Sequence, residues 1–203
     1  MTQHKPEEGY IKKLQGIASH GFENAARGFS GMIGQKLQVL NPTVQSTPFQ
    51  EIIDALGGPE NDAVGIYLRV EGDITGQIML ILPLTKALEM VDMLMEQPQG
   101  TSTKLSTMER SALAEVGNLT GTFFLNAIAE ITGISSRPTP PAVMVDMVGA
   151  ILDVIVATMG KFEKDVLMFK STFVFGDRET EADFWIIPDP ETLEKLTRAG
   201  NNQ

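Results

Sequence analysis

The same succession of structural signals runs through this 203-residue chain twice. In the first half, Ile11, Leu14, Ile17 and then Phe29, Ile33 and Leu37 predict one long amphipathic helix from Tyr10 to near Leu37. Asn41-Pro42 breaks it. Thr47-Pro48 reads as the N-cap and first position of a short helix, with Gly57 past its end. Ala63–Glu71 and Thr75–Pro83 form a strand pair turning at Gly72-Asp73, and the run after Pro83, LTKALEMVDMLMEQ, is helical. The second half repeats this order. A long helix covers Leu105 to about Ile131 and is closed by Gly133. Thr139-Pro140-Pro141 opens an apolar helix over Ala142–Met159. A hairpin of Val166–Phe175 and Ala182–Ile187 turns at Gly176-Asp177, and Pro188-Asp189-Pro190 leads into the short helix ETLEKLTR. Gly34 matches Gly133 and Pro42 matches Pro141, both at an offset of 99 residues, while Pro83 and Pro188 each close a hairpin. An internal duplication follows, with repeats of about 10–98 and 105–200 inside one domain over residues 1–203. Hairpin connections make the fold α+β, a pseudo-two-fold unit with a mainly antiparallel sheet and long helices packed on it.

Composition narrows the chemistry. The chain has no cysteine and two histidines, His4 and His20. Disulfides, thiol nucleophiles and thiolate metal sites are excluded, and a Ser-His-Asp triad or a His-rich metal site is disfavoured. A net charge of −10 and a pI of about 4.7 disfavour nucleic acid as a partner. The N-terminal segment MTQHKPEEGYIKK lacks the apolar core of a secretion signal. Ala142–Met159 is only marginally long enough to cross a bilayer and carries Asp146 and Asp153, so it reads as a buried amphipathic helix with both aspartates on a narrow polar stripe. The expected location is the cytoplasm, with no membrane insertion.

The long helix of the second half contains SALAEVGNLTGTFF. On a helical wheel, Ser111, Glu115, Asn118 and Thr122 fall within an arc of roughly 60°. Leu113, Val116, Leu119, Phe123, Phe124 and Ile131 are assigned to the opposite side. Beside the polar stripe lie Ala114, Gly117 and Gly121. Each glycine costs about 1 kcal/mol relative to alanine in a helix interior. The residues alone leave two readings open: small residues that let a partner surface approach the stripe closely, or a solvated face whose glycines pack against a neighbouring helix.

The spacing Ser-x3-Glu-x2-Asn, followed after 22 residues by Pro141, resembles the signature of the CheC/CheX/FliY family of response-regulator phosphatases. The resemblance extends over nearly the whole chain, and the length and order of elements are most similar to the CheC members. It implies a six-stranded, mainly antiparallel sheet. The implied substrate is the aspartyl phosphate of the chemotaxis response regulator CheY, and the implied activity is its hydrolysis. By the same resemblance Asn118 would position the attacking water, Glu115 would pair with a lysine of the regulator, and Ser111 would support the rim. Pro141 would shape the turn leading to the next helix. In the first half, Lys12, Gly16 and Ser19 stand where acidic or hydroxyl, Glu and Asn positions would be, with Pro42 kept. One active site and one degenerate site are therefore expected. The chain shows no clustered metal ligands of its own, so no resident cofactor is expected, and the required Mg²⁺ would belong to the phosphorylated regulator.

Two rival readings accompany this one. In the first, the chain is a regulatory adaptor that binds the deamidase CheD and has little activity. In the second it is a flagellar switch component, since FliM and FliY middle domains share the implied fold. Asp146 and Asp153 offer either a solvated stripe or a face for CheD. Met90, Met93 and Met95 read as flexible core fillers. Trp185 reads as strand packing, and His20 falls outside the motif.

Overall fold

A computed structural model describes residues 8–33, 36–158, 165–175, 178–188, 192 and 195. Five helices and seven strands follow one another along these residues: α1 (Glu8–Ile33), β1 (Leu37–Pro48), α2 (Phe49–Ala55), β2 (Asp62–Gly72), β3 (Gly76–Pro83), α3 (Leu84–Leu94), α4 (Thr107–Thr132), β4 (Ser136–Pro138), β5 (Ala142–Met147), α5 (Val148–Thr158), β6 (Asp165–Phe175) and β7 (Arg178–Pro188).

Every strand pairing is antiparallel. The sheet runs β1-β6-β7-β3-β2-β4, and β5 also pairs with β2. From its centre, where β3 lies against β7, β2 and then β5 follow on one side, and β6 and then β1 on the other. The first strand of each half thus pairs with a hairpin strand of the other half. The sheet has seven strands rather than six, because the edge segment beside β2 is divided into β4 and β5.

Both faces of the central strands are covered. Val64, Ile66, Leu68, Ile78 and Leu80 point to a core shared with α1, α3 and α4. Ala63, Met79 and Ile81 point to a second core against α2 and α5. Double coverage explains why β3 reads Ile78-Met79-Leu80-Ile81-Leu82, apolar at every position instead of alternately. Met90 and Met93 of α3 are buried and Met95 is half-buried, so these methionines are core fillers.

Two strands depart from the sequence reading, one in a segment with no assigned element after the first helix and one in a segment expected to be helical. The first helix ends at Ile33, and the chain from Leu37 is β1. Its alternation is interrupted by a bulge between Leu40 and Thr43, where Asn41 has φ of 52°. The bulge hides the strand period, and Asn41-Pro42 marks this irregularity inside the strand instead of a helix end. Pro48 is itself the N-cap of α2, one residue later than expected. The second segment is Ala142–Met147, which is β5, with α5 confined to Val148–Thr158. Val143 and Val145 alternate with Met144 and Asp146 at the strand period, and Asp62–Tyr67 of β2 offers the pairing edge. Asp146 and Asp153 consequently share no helical stripe, although both are exposed. Among the described residues no helix is long and apolar enough to cross a membrane. Gly34, the Gly176-Asp177 turn, and the ETLEKLTR segment apart from Thr192 and Lys195 lie outside the described residues. So do the side chains of Lys12 and Trp185.

Candidate functional site

Helix α4 carries the polar stripe, and its two ends are well defined by sequence. Ser106 is the N-cap and forms a reciprocal capping box with Glu109, whose carboxylate also takes the Ser106 N–H at 2.9 Å. The Ser106 side chain, followed by the backbone amides, holds the Glu109 carboxyl below its ordinary range. At the other end Gly133, with φ of 72°, closes the helix in the left-handed conformation.

Between these ends the buried positions include Leu113, Val116, Gly117, Thr120, Gly121, Phe124, Leu125 and Ile128, one face of a 3.6-residue period. Ser111 and Glu115 are exposed, and Asn118 and Thr122 are half-buried beside them. None of the described residues forms a hydrogen bond or ion pair with the side chains of Ser111, Glu115 or Asn118. The stripe is therefore an outward row of a hydroxyl, a carboxylate and an amide on one rigid helix. Ile131, assigned to the apolar side by sequence, is exposed at the last turn, and Leu119 and Phe123 are half-buried.

The glycines do something other than either sequence reading. A Cβ on Gly117 would come within 2.4 Å of Ile66 Cγ2, and one on Gly121 within 3.5 Å of both Leu68 Cδ2 and Pro138 Cβ. They face β2 and the start of the edge segment, not a partner and not another helix. Their role is to bring α4 down onto the sheet.

Pro141 sits in the segment 139–141 between β4 and β5 and leads into a strand, not into a helix as expected. Prolines at 138, 140 and 141 lack N–H donors. Thr139 holds this segment to β2: its N–H donates to Arg69 O at 2.8 Å, and its Oγ1 accepts from Arg69 N at 3.0 Å. Ala142, the next residue after Pro141, pairs with Tyr67. Val143 and Val145 pack with the α4-side core. Pro138, at the head of this segment, lies against α4 at Gly121.

The first half presents a different surface. Gly16 is exposed and supplies no side chain, and the Ser19 hydroxyl donates to Gln15 O at 3.0 Å. Gln15 binds the β1 bulge through both ends of its amide. Its Nε2 donates to the Pro42 carbonyl, and its Oε1 accepts the Val44 N–H at 2.9 Å. The structure therefore uses Pro42 for a contact between α1 and β1.

Sequence reasoning passed over two buried polar groups near α4. Asp92 of α3 is 1% exposed and receives the N–H groups of Gly100, Thr101 and Ser102 at 2.7, 3.1 and 2.8 Å. Burial raises its pKa, but the Ser102 side chain and these amides outweigh that and leave it below the ordinary carboxylate value. Asp92 thereby pins the connection that ends at the α4 N-cap. The available signal was an aspartate between Val91 and Met93, where a polar residue interrupts an apolar run. Second, Thr120 is 2% exposed and its hydroxyl has no hydrogen-bond partner among the described residues. His20, outside the motif, joins α1 to α4 through Glu130 at 2.5 Å. Among the described residues no three His, Asp or Glu side chains converge as a metal site would require.

The fold is shared with flagellar and chemotaxis proteins. Thermotoga maritima FliY superposes with a TM-score of 0.76 at 17% identity, covering 96% of each chain. The FliM middle domain from H. pylori superposes with a TM-score of 0.68 at 11% identity, covering 94% of this chain and 98% of that one. At these identities the likeness is one of fold. In sequence, the family model described as CheC-like matches residues 108–145, the stretch from the first turn of α4 through the proline segment into β5. The CheY-P phosphatase CheC of Bacillus subtilis (strain 168) is 27% identical over 195 residues, covering 94% of this chain and 93% of that protein. In sequence the chain is thus similar to the CheC-like family over α4 and the proline segment, and to B. subtilis CheC over most of its length.

Proposed function

We propose that this protein is a cytoplasmic phosphatase that hydrolyses the aspartyl phosphate of a CheY-like response regulator. The observation that carries the reading is the outward row Ser111, Glu115 and Asn118 on a helix fixed at both ends, within the stretch that the family match covers. An acyl phosphate is intrinsically reactive, so the principal help it needs is a water held in line with phosphorus. Asn118 supplies this: its amide both donates and accepts in a fixed plane. The water oxygen forms the new P–O bond and the bond to the aspartyl oxygen breaks. The electron pair stays on the regulator's aspartate, and the water's proton leaves with phosphate or to solvent. Glu115, exposed on α4, pairs with a lysine of the regulator and orients the complex. Ser111 supports the rim. Pro141 acts through the backbone, as part of the segment that Thr139 fastens to β2. Mg²⁺ is contributed by the phosphorylated regulator.

One site operates, on α4. In support, α1 has no side chain at Gly16, turns the Ser19 hydroxyl inward and engages Pro42 through Gln15. The same reading takes the chain as a single domain of two repeats, about 10–98 and 105–200. The decisive experiment follows the decay of phosphorylated CheY from the same organism, with wild type, with Glu115→Ala/Asn118→Ala, and with a control altered at Gly16 and Ser19. Acceleration lost only in the motif variant supports the reading. A folded wild type that leaves the decay unchanged, with and without CheD, overturns it for that regulator. Tight CheD binding would then favour the adaptor reading, and co-sedimentation with motor components the switch reading.

A further inference from the structure

Met108 lies in the first turn of α4 and is 65% exposed, against 38 to 46% for Leu40, Ile131, Met147 and Val154. It stands three residues before Ser111 and seven before Glu115, on the same side of the helix. The turn that bears it is held by the Ser106–Glu109 capping box, so its backbone is in place before any partner arrives. Met108 contributes nothing to the core, whose positions on α4 begin at Leu113, so its side chain is available to a partner.

We propose that Met108 is an affinity- and specificity-determining contact for the phosphorylated response regulator. The inference rests on the phosphatase reading above. Its argument is one of span. Ten residues separate Met108 from Asn118, about 15 Å along a helix. A stable protein interface covers roughly 800 Å² per partner, a disc of about 16 Å radius. A regulator seated so that its phosphate meets Asn118 therefore reaches the first turn of α4, and Met108 is buried in the complex. The partner surface that meets it is an apolar patch about 15 Å from the phosphorylated aspartate. A methionine suits this contact, because its unbranched thioether adapts to an irregular apolar surface and its burial favours the bound state. Asn118 acts on the phosphate, whereas Met108 acts on binding alone.

The test compares wild type, Met108→Ser, Met108→Leu and Asn118→Ala in two measurements. These are steady-state hydrolysis of the phosphorylated regulator and equilibrium binding of the regulator activated with beryllofluoride. Met108→Ser is expected to raise KM and weaken binding about tenfold with kcat unchanged, and Met108→Leu is expected to restore both. Asn118→Ala is expected to lower kcat with binding retained. Equal KM and equal binding in wild type and Met108→Ser overturn the proposal while the phosphatase reading stands. If wild type does not accelerate hydrolysis, the phosphatase reading fails and the binding arm still decides. Binding weakened by Met108→Ser upholds the contact, and a wild type that does not bind the regulator overturns it.

Discussion

Gly117 and Ile66 are so closely opposed that a Cβ on the glycine would stand 2.4 Å from the isoleucine's Cγ2. Alanine at 117 gains helix propensity of about 1 kcal/mol but forces the helix off β2 or Ile66 off its rotamer, at about 1–3 kcal/mol. Gly117→Ala is expected to destabilise by about 1 kcal/mol net. Gly16, also within a helix, has open space where a Cβ would go. Gly16→Ala is expected to stabilise by about 0.5–1 kcal/mol. Urea unfolding of the two variants reads opposite signs from the same chemical change.

Asp92 makes stability depend on acid. Its folded pKa is depressed below the model-compound value of 3.8, so its contribution is fully present above that value and is lost as pH falls through the lower folded value. Asp92→Asn cannot accept from three amides with one oxygen and turns an NH₂ toward donors. The substitution is expected to cost about 2–3 kcal/mol at pH 7. The gap between wild type and variant should then narrow as pH falls below about 4, which chemical denaturation across pH 2–7 will follow.

Thr120 has a buried hydroxyl with no partner among the described residues. Valine has nearly the same shape without the unsatisfied polar group. Thr120→Val is expected to raise stability by up to about 1 kcal/mol, visible as a higher urea midpoint with an unchanged slope. A destabilised variant would mean that the hydroxyl has a partner in solution.

Among the described residues the side chains of Asn118 and Glu115 have no hydrogen-bond or ion-pair partner, so their removal should leave the fold alone. Under the proposed function, Asn118→Ala is expected to slow hydrolysis by about a hundredfold or more through loss of water placement. Glu115→Ala is expected to act mainly on KM. Circular dichroism and unfolding midpoints within error of wild type are part of the expected result.

The α4 stripe was legible because a single exposed helix obeys one period, and no tertiary event reassigns Ser111, Glu115 or Asn118. The β2–β3 hairpin was legible through its turn residues and apolar runs. β1 and β5 were not. The bulge at Asn41-Pro42 breaks the alternation of β1, and the alternation of β5 spans only six residues after Pro140-Pro141 before the apolar run continues into α5. Their identity is fixed by partners distant in sequence: β6 for β1, and β2 for β5. The direction faced by Gly117 has the same origin. A glycine marks a close approach, but only the packing of α4 on Ile66 tells what approaches. Gln15 is a similar case, since its two bonds answer donors and acceptors exposed by a bulge that was itself invisible.

The exchanged pairing of β1 with β6 and of β5 with β2 has a consequence for how the molecule comes into being. A chain made from its N-terminus presents β1 more than a hundred residues before its neighbour β6 is available. β2 and its core face likewise wait for α4 and β5. The half made first must keep these open edges from pairing elsewhere until the strands of the second half emerge, so assembly is governed by late, long-range closure. The prolines of β1, Pro42 and Pro48, and the charged residues of β2, Asp62, Arg69 and Glu71, then serve a second purpose as guards against premature partners. The residues most exposed to misassembly are those of the half that the proposed chemistry does not use.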